Sequence, residues 1–440
     1  MTDASTSPPQ PTSPQPSSSQ PAQQASTSRP ASLTEPDYDL YAAGPDAPNA
    51  DPAGVFKDLP ESARAVRERA RAFALEKVAP VIDDYWHRGE YPAHLTKELG
   101  EADLLRDGIA VDGREGWSRL EAAMVGMELG RVDLSVSTIV GVQGGLALRS
   151  IDLCGSEEQK QKWGPALAEG SVAGAFALTE PTHGSDSIGL ETMATKVDGG
   201  WRITGAKKWI GNGAIGPEFG APAISVVWAR DTDDGQVKGF IVPQDAEGYS
   251  AFHLKEKIAL RCLWQAEIDL QDVFVPEENV LPGAQSFKNT AQVLFATRLG
   301  VAWAAVGAAM GAYEVAAQYA SKRMQFGRPL AHSQIVNERL ARMQSTLVQA
   351  QLLALHCTEL EDRGELSGEL ASLAKFTSTR AARSIAADAR DLLGGNGILI
   401  KNRVARHFAD IEALHTYEGT ETVQALLIGR GVTGKSTFAG

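Results

Sequence analysis

Between residues 55 and 167 the apolar positions of segments such as ESARAVRERARAFALEKVAPVIDDYW and GWSRLEAAMVGMELGRVD recur every three or four residues. That period places them on one face of an α-helix and predicts an N-terminal helical domain. From 168 to 283 the pattern shortens to alternating runs, in VAGAFALTEP, TKVDGGWRITGAKKWIGN, PAISVVWARD, VKGFIVPQ and AEIDLQDVFVP. Alternation marks strands with one buried face. Gly199-Gly200 sits between two such arms and predicts a hairpin turn, so a β-barrel-like middle domain of six or more strands is expected. After the LPG at 281 to 283 long helical periods return, in VAWAAVGAAMGAYEVAAQYASKRMQFG, IVNERLARMQSTLVQAQLLALHCTELEDRG and ELASLAKFTSTRAARSIAADARDLLGG. They predict a C-terminal four-helix-bundle domain over 284–440. The fold class is α+β, mainly α, with no internal repeat.

Residues 1–36 follow neither period. They are dominated by Ser, Thr, Pro, Gln and Ala, too polar to offset the entropy of ordering, and are expected to form a disordered tail. They carry no basic region ahead of an apolar core, and the final TFAG gives no peroxisomal address, so a cytoplasmic protein is expected.

Composition narrows the chemistry. With 42 Lys and Arg against 55 Asp and Glu, the net charge of -13 argues against a general nucleic-acid binder, which needs a positive face for phosphate. No run of about 18 apolar residues occurs, so no membrane span is expected. Cys154, Cys262 and Cys357 are odd in number and widely spaced, a pattern that suits neither a disulfide framework nor a zinc site.

Several short stretches have a structural reading and a chemical one. FALTEPTHGSDS, 176–187, leaves a strand into a loop whose hydroxyls and N–H groups suit either a plain turn or a polar ring edge. Trp209 in KKWIGN ends a strand, as a core indole or as a stacking surface. LGGNG, 393–397, stops a helix without being a dinucleotide fingerprint. KRMQFGRPL, 322–330, puts Lys322, Arg323 and Arg328 at a helix end, where they complement its dipole. In HTYEGTETV, 415–423, Thr420 before an apolar run reads as an N-cap, which leaves Glu418 between Tyr417 and Gly419 to be explained.

Taken together, FALTEPTHGSDS, WIGN, RMQFG followed by Gln334, GGNG and YEGT occur in one order, and from about Pro60 to Ser436 the chain resembles the acyl-CoA dehydrogenase family. FVPEENVLPG, RMQFGRPLA and TYEGT with a following GRGVTG make it most similar to glutaryl-CoA dehydrogenases and plant short-chain acyl-CoA oxidases.

The resemblance implies an FAD enzyme that removes two hydrogens from the α and β carbons of an acyl-CoA thioester. Glu418 would take the α-proton. Tyr417 would exclude water, and Gly419 would admit the substrate beside the backbone. The resemblance also places Phe176, Leu178, Thr179 and Ser185 along the flavin and the start of the CoA path. Trp209 would cover the ring system, with Ile210, Gly211 and Thr420 beside the cofactor. Arg323, Phe326, Gln334, Gly394 and Gly395 would come from a neighbouring subunit to the FAD pyrophosphate and adenine, which implies a dimer or tetramer. Arg298 would contact CoA, and an electron-transfer flavoprotein would accept the electrons.

Two departures stand out. Ser137 occupies the place of an arginine that pairs with the second carboxylate of a glutaryl group, so a neutral acyl chain is expected. Gly211 occupies the place of a threonine whose hydroxyl reaches the flavin, which leaves open whether oxygen or the flavoprotein reoxidises it.

Overall fold

The computed structural model describes residues 48–436; the expected tail, 1–36, lies outside them. The first helical region comprises α1 (Glu61–Phe73), α2 (Ile82–Arg88), α3 (Ala93–Glu101), α4 (Arg119–Gly130), α5 (Leu134–Val140), α6 (Arg149–Cys154) and α7 (Glu157–Ala168). Ser118 and Ser156 open α4 and α7 with reciprocal capping boxes to Glu121 and Gln159, which satisfy N–H groups that a helix start leaves unpaired. A wider π-helical turn, Gly141–Leu148, joins α5 to α6.

The middle region is a curled sheet of seven strands: β1 (Ala173–Ala177), β2 (Met193–Val197), β3 (Gly200–Gly211), β4 (Ala223–Asp231), β5 (Val237–Pro243), β6 (Tyr249–His253) and β7 (Gln265–Pro276), with the short helix α8 (Ile215–Phe219) after β3. Its order is β1-β4-β2-β3-β7-β6, with β5 on the far edge of β4. The hairpin forms where the glycine pair lies, with Val197 opposite Gly200 and Gly199 at φ +75°. The alternation works as it reads: Trp201 and Ile203 point into the core, while Arg202 and Thr204 are exposed.

The last region holds α9 (Phe287–Lys322), a small hairpin of β8 (Met324–Gln325) and β9 (Arg328–Pro329), then α10 (Gln334–Asp362), α11 (Gly368–Leu392), α12 (Val404–Thr416) and α13 (Glu421–Thr433). Leu134–Cys154 and α9 are long and apolar enough to cross a membrane, but 83% and 67% of their most apolar windows are buried inside the protein. They are core helices. α9 approaches α4 so closely that a Cβ on Gly307 would strike the Met127 carbonyl, which only a glycine avoids.

One buried carboxylate joins all three regions. Asp410 on α12 accepts from Trp86 Nε1 of α2 at 3.0 Å and from the backbone N–H of Leu260, after the sheet's β6, at 2.7 Å.

Candidate active site

A cavity of about 880 Å³, counting its open mouth, lies between α4, α5, the π-helical turn and the first half of α9. Most of its lining is apolar, with Val142, Leu299 and Trp303 among the walls, and Tyr417 and Glu418 close it from the loop between α12 and α13. Thr420 begins α13 as an N-cap, accepting from Val423 N–H at 3.3 Å. The cap fixes where the helix starts and thereby where the two preceding residues project.

Glu418 pays for its position with a left-handed backbone, φ +54°, which costs a residue bearing a Cβ about 1 kcal/mol or more. The surroundings hold it there. Lys375 of α11 donates to the carbonyls of Tyr417 and Gly419, and Gln424 of α13 donates to those of Glu418 at 2.9 Å and Gly419 at 3.1 Å. The side chain meets Thr297 of α9, whose hydroxyl donates to Oε2 at 3.2 Å.

Burial pushes the Glu418 carboxyl above the ordinary carboxylate range, outweighing the attraction of Lys375 and Arg298 and the Thr297 hydrogen bond. Burial likewise drives Lys375 down to about 7, against the pull of Glu418 and with the repulsion of Arg298 added. Arg298 is lowered by burial, with Glu418 opposing. It donates to Ser372 Oγ at 3.2 Å, while its buried Nε has no hydrogen-bond partner among the described residues. Glu418 as a whole is half-buried, and a carboxylate drawn partly out of water in this way is a stronger base than a solvated one.

Ser137 lines the same cavity and is turned away from ionic work, its hydroxyl donating to the Gly126 carbonyl at 3.0 Å. Sequence reading did not anticipate Arg119, which also lines the cavity. Its charge is matched: it contacts Asp107 at 3.2 Å and Glu361 at 3.5 Å and donates to the Ala296 carbonyl at 3.1 Å. Burial alone would raise the Asp107 carboxyl, but Arg119 and Arg149 hold it below its ordinary value.

The second group of candidate residues lies on the sheet. Trp209 sits where β3 loses register with β7, at φ +66° and 51% exposed. A core role for this indole is thereby excluded. Ile210 and Gly211 beside it are buried. Phe176 and Leu178 are buried too, Phe176 against Trp228 at 5.9 Å, whereas Thr179 is half-buried and Ser185 exposed. The loop after Leu178 is pinned by Glu180, which accepts from Thr192 N–H at 2.9 Å and from the buried Lys207 at 2.8 Å. A Cβ on Gly211 would lie 2.9 Å from Val142 Cγ2, so the sheet edge and the Glu418 cavity are neighbours. An open indole face, a threonine hydroxyl and a pinned polar loop suit the flat ring and polar edge of a flavin.

The third group is elsewhere. Arg323 is half-buried, Phe326 fully exposed, and Gln334, Gly394 and Gly395 are exposed. The 394–398 turn joins the end of α9 through Asn396 Nδ2, which donates to Tyr319 at 3.0 Å. About 25 residues of continuous helix separate Arg298 from Arg323, about 38 Å at about 1.5 Å per residue.

Thr297, Lys375 and Gln424 were not singled out from the sequence. Lys375 did leave a trace: it falls within the buried stripe Ala371, Ala374, Ser378 and Ala382 of α11, a face on which a lysine needs a partner.

Comparison with known proteins covers most of the described chain. Family models match residues 60–171 as an acyl-CoA dehydrogenase N-terminal domain, 175–273 as a middle domain and 287–433 as a C-terminal domain. An acyl-CoA dehydrogenase of Bacillus subtilis (strain 168) is 33% identical over 84% of this chain and 97% of its own length. Among solved structures, glutaryl-CoA dehydrogenase from Mycobacterium smegmatis superposes with TM-score 0.85 and 38% identity, covering 89% of this chain and 100% of that one. A glutaryl-CoA dehydrogenase from the same organism in complex with FADH2 gives 0.84 and 33%, over 88% and 98%. The cavity, its sequestered carboxylate and the indole platform therefore stand in a chain that belongs to the acyl-CoA dehydrogenase family, the FAD-dependent oxidoreductases.

Proposed function

We propose that the protein dehydrogenates a short to medium, uncharged acyl-CoA to the trans-2-enoyl-CoA, with Glu418 as the base that takes the α-proton. The observation that carries this reading is the Glu418 carboxyl itself: it lines the cavity, accepts from Thr297, and is raised by burial. An α C–H beside a thioester is too weakly acidic for water to remove quickly, so a positioned, desolvated carboxylate is required. Bound FAD supplies the acceptor for the hydride that leaves the β-carbon. Trp209, Thr179 and Gly211 would hold the flavin against the cavity, and Ser185 and Arg298 would guide the CoA arm. Tyr417, half-buried beside it and with its hydroxyl raised by burial, would shield the base from solvent.

The acyl preference rests on charge. Ser137 offers no cation, and Arg119 is already matched by Asp107 and Glu361. A second carboxylate in the chain would be buried without a partner, at a cost of several kcal/mol. The glutaryl reading suggested by the solved relatives is therefore set second. The span of α9 supports a homo-oligomer: it sets Arg323 about 38 Å along the helix from Arg298, so Arg323, Phe326, Gln334, Gly394 and Gly395 would serve the cofactor of another copy. We assign an electron-transfer flavoprotein as acceptor.

Loss of the yellow flavin absorbance under nitrogen tests the substrate. Butyryl- or hexanoyl-CoA should bleach the enzyme faster than glutaryl-CoA; the reverse order contradicts the assignment. Reoxidation timed with air and with the flavoprotein separates an oxidase from a dehydrogenase.

A further inference from the structure

The catalytic loop is held by a cation. Lys375 lies on the inner face of α11, 1% exposed, and its ammonium donates to two carbonyls, those of Tyr417 and Gly419, on either side of Glu418. Gln424 donates to the carbonyls of Glu418 and Gly419, so three consecutive peptide oxygens face donors from two helices. Glu418 and Gly419 both have positive φ, +54° and +83°, a turn that brings those oxygens to one side. An amide would satisfy such carbonyls at little cost, as Gln424 does. A buried ammonium is costly there unless its charge is used.

We propose that Lys375 is a positioning residue for the reaction: it fixes the left-handed turn at Glu418 and, by its charge, keeps the carboxyl ionised in a cavity that would otherwise protonate it. This rests on the reading of Glu418 as the base. The groups facing the pair come from each packed element: Arg298 and Thr297 from α9, Tyr417 from the loop, and His415 at the end of α12, itself held by Glu421 at 2.8 Å. Arg298 alone is the weaker anchor, since it donates to Ser372 Oγ and its Nε has no hydrogen-bond partner among the described residues. Burial brings Lys375 down to about 7 against the pull of Glu418, so it supplies charge below that pH and geometry throughout, whereas Gln424 supplies geometry only.

The test is the pH profile of anaerobic flavin bleaching by butyryl-CoA on FAD-loaded enzyme, with thermal unfolding recorded for each variant. In Lys375→Met, removal of the cation should move the acid limb up by about 1 to 3 pH units, slowing bleaching at neutral pH. Lys375→Arg should keep the limb in place. Gln424→Ala should slow bleaching without moving it. Lys375→Gln keeps a donor without charge and should shift the limb as Met does, which decides the matter if the Met variant does not fold. An unmoved limb in the neutral variants overturns the proposal. Failure of both to fold assigns Lys375 to stability alone and overturns it equally. Glu418→Gln is run alongside: if it bleaches at the parental rate the base assignment falls, whereas an inactive Glu418→Gln with an unmoved Lys375→Met limb removes only the role of Lys375.

Discussion

A glycine at 211 looks like a lost hydroxyl in the sequence, and the structure gives its reason. A Cβ there would press on Val142 Cγ2 at 2.9 Å, and Val142 is a wall of the Glu418 cavity. The two positions are one packing decision. Valine is stiff about χ1 and yields poorly, so Gly211→Thr alone should lower the melting temperature by about 1 to 4 °C, consistent with about 1 to 3 kcal/mol of overpacking. Gly211→Thr with Val142→Ala should regain most of it. Equal melting temperatures for the single and double variants would show that the contact is not limiting. The apolar run after it made the Thr420 N-cap legible in the sequence, whereas Glu418 became a candidate base only through the resemblance carried by the ordered motifs. Lys375 and Thr297 were not legible, because they reach the loop from helices more than forty and about 120 residues away in the chain, and nothing local marks such a contact.

At the scale of elements, period reading located the helices and strands because each buries one face, and the hairpin at Gly199-Gly200 followed from turn chemistry. It could not give the order β1-β4-β2-β3-β7-β6, in which β4 is inserted between strands that precede it, since non-local pairing is set by which edges remain open. Nor did it show that Asp410 joins α2, the sheet region and α12. Burial pushes this carboxyl up to about 7, the neighbouring Asp133 adding to the shift and the bonds from Trp86 and Leu260, with Arg406, opposing it. A folded pKa above the unfolded one means that the contribution to stability is full at pH below the unfolded value and is lost as pH rises through about 7. The melting temperature should fall between about pH 4 and pH 7 and level off above that, and that of Asp410→Asn should fall less over that window. Identical slopes would remove Asp410 as the cause.

For the whole molecule, the distance along α9 divides the candidate residues into a set around Glu418 and a set at the far helix end, with Phe326 wholly exposed. If the second set serves a neighbour's FAD, two defective chains should repair each other. A copy with Glu418→Gln lends its intact Arg323 to the intact Glu418 of a copy with Arg323→Ala. Co-expression should restore activity to about a quarter of the sites by random pairing in a dimer, although each variant alone is poor. No gain over the separate variants would place both sets in one subunit's site.

The claim on which the account turns is that Glu418 removes the α-proton. The most direct measurement is the anaerobic bleaching rate of bound FAD with butyryl-CoA carrying hydrogen or deuterium at C2, in the parent and in Glu418→Gln. We expect deuterium to slow the parent several-fold and Glu418→Gln to lose at least about 10² in rate while it still binds FAD and folds. A Glu418→Gln enzyme that bleaches at the parental rate would contradict the account.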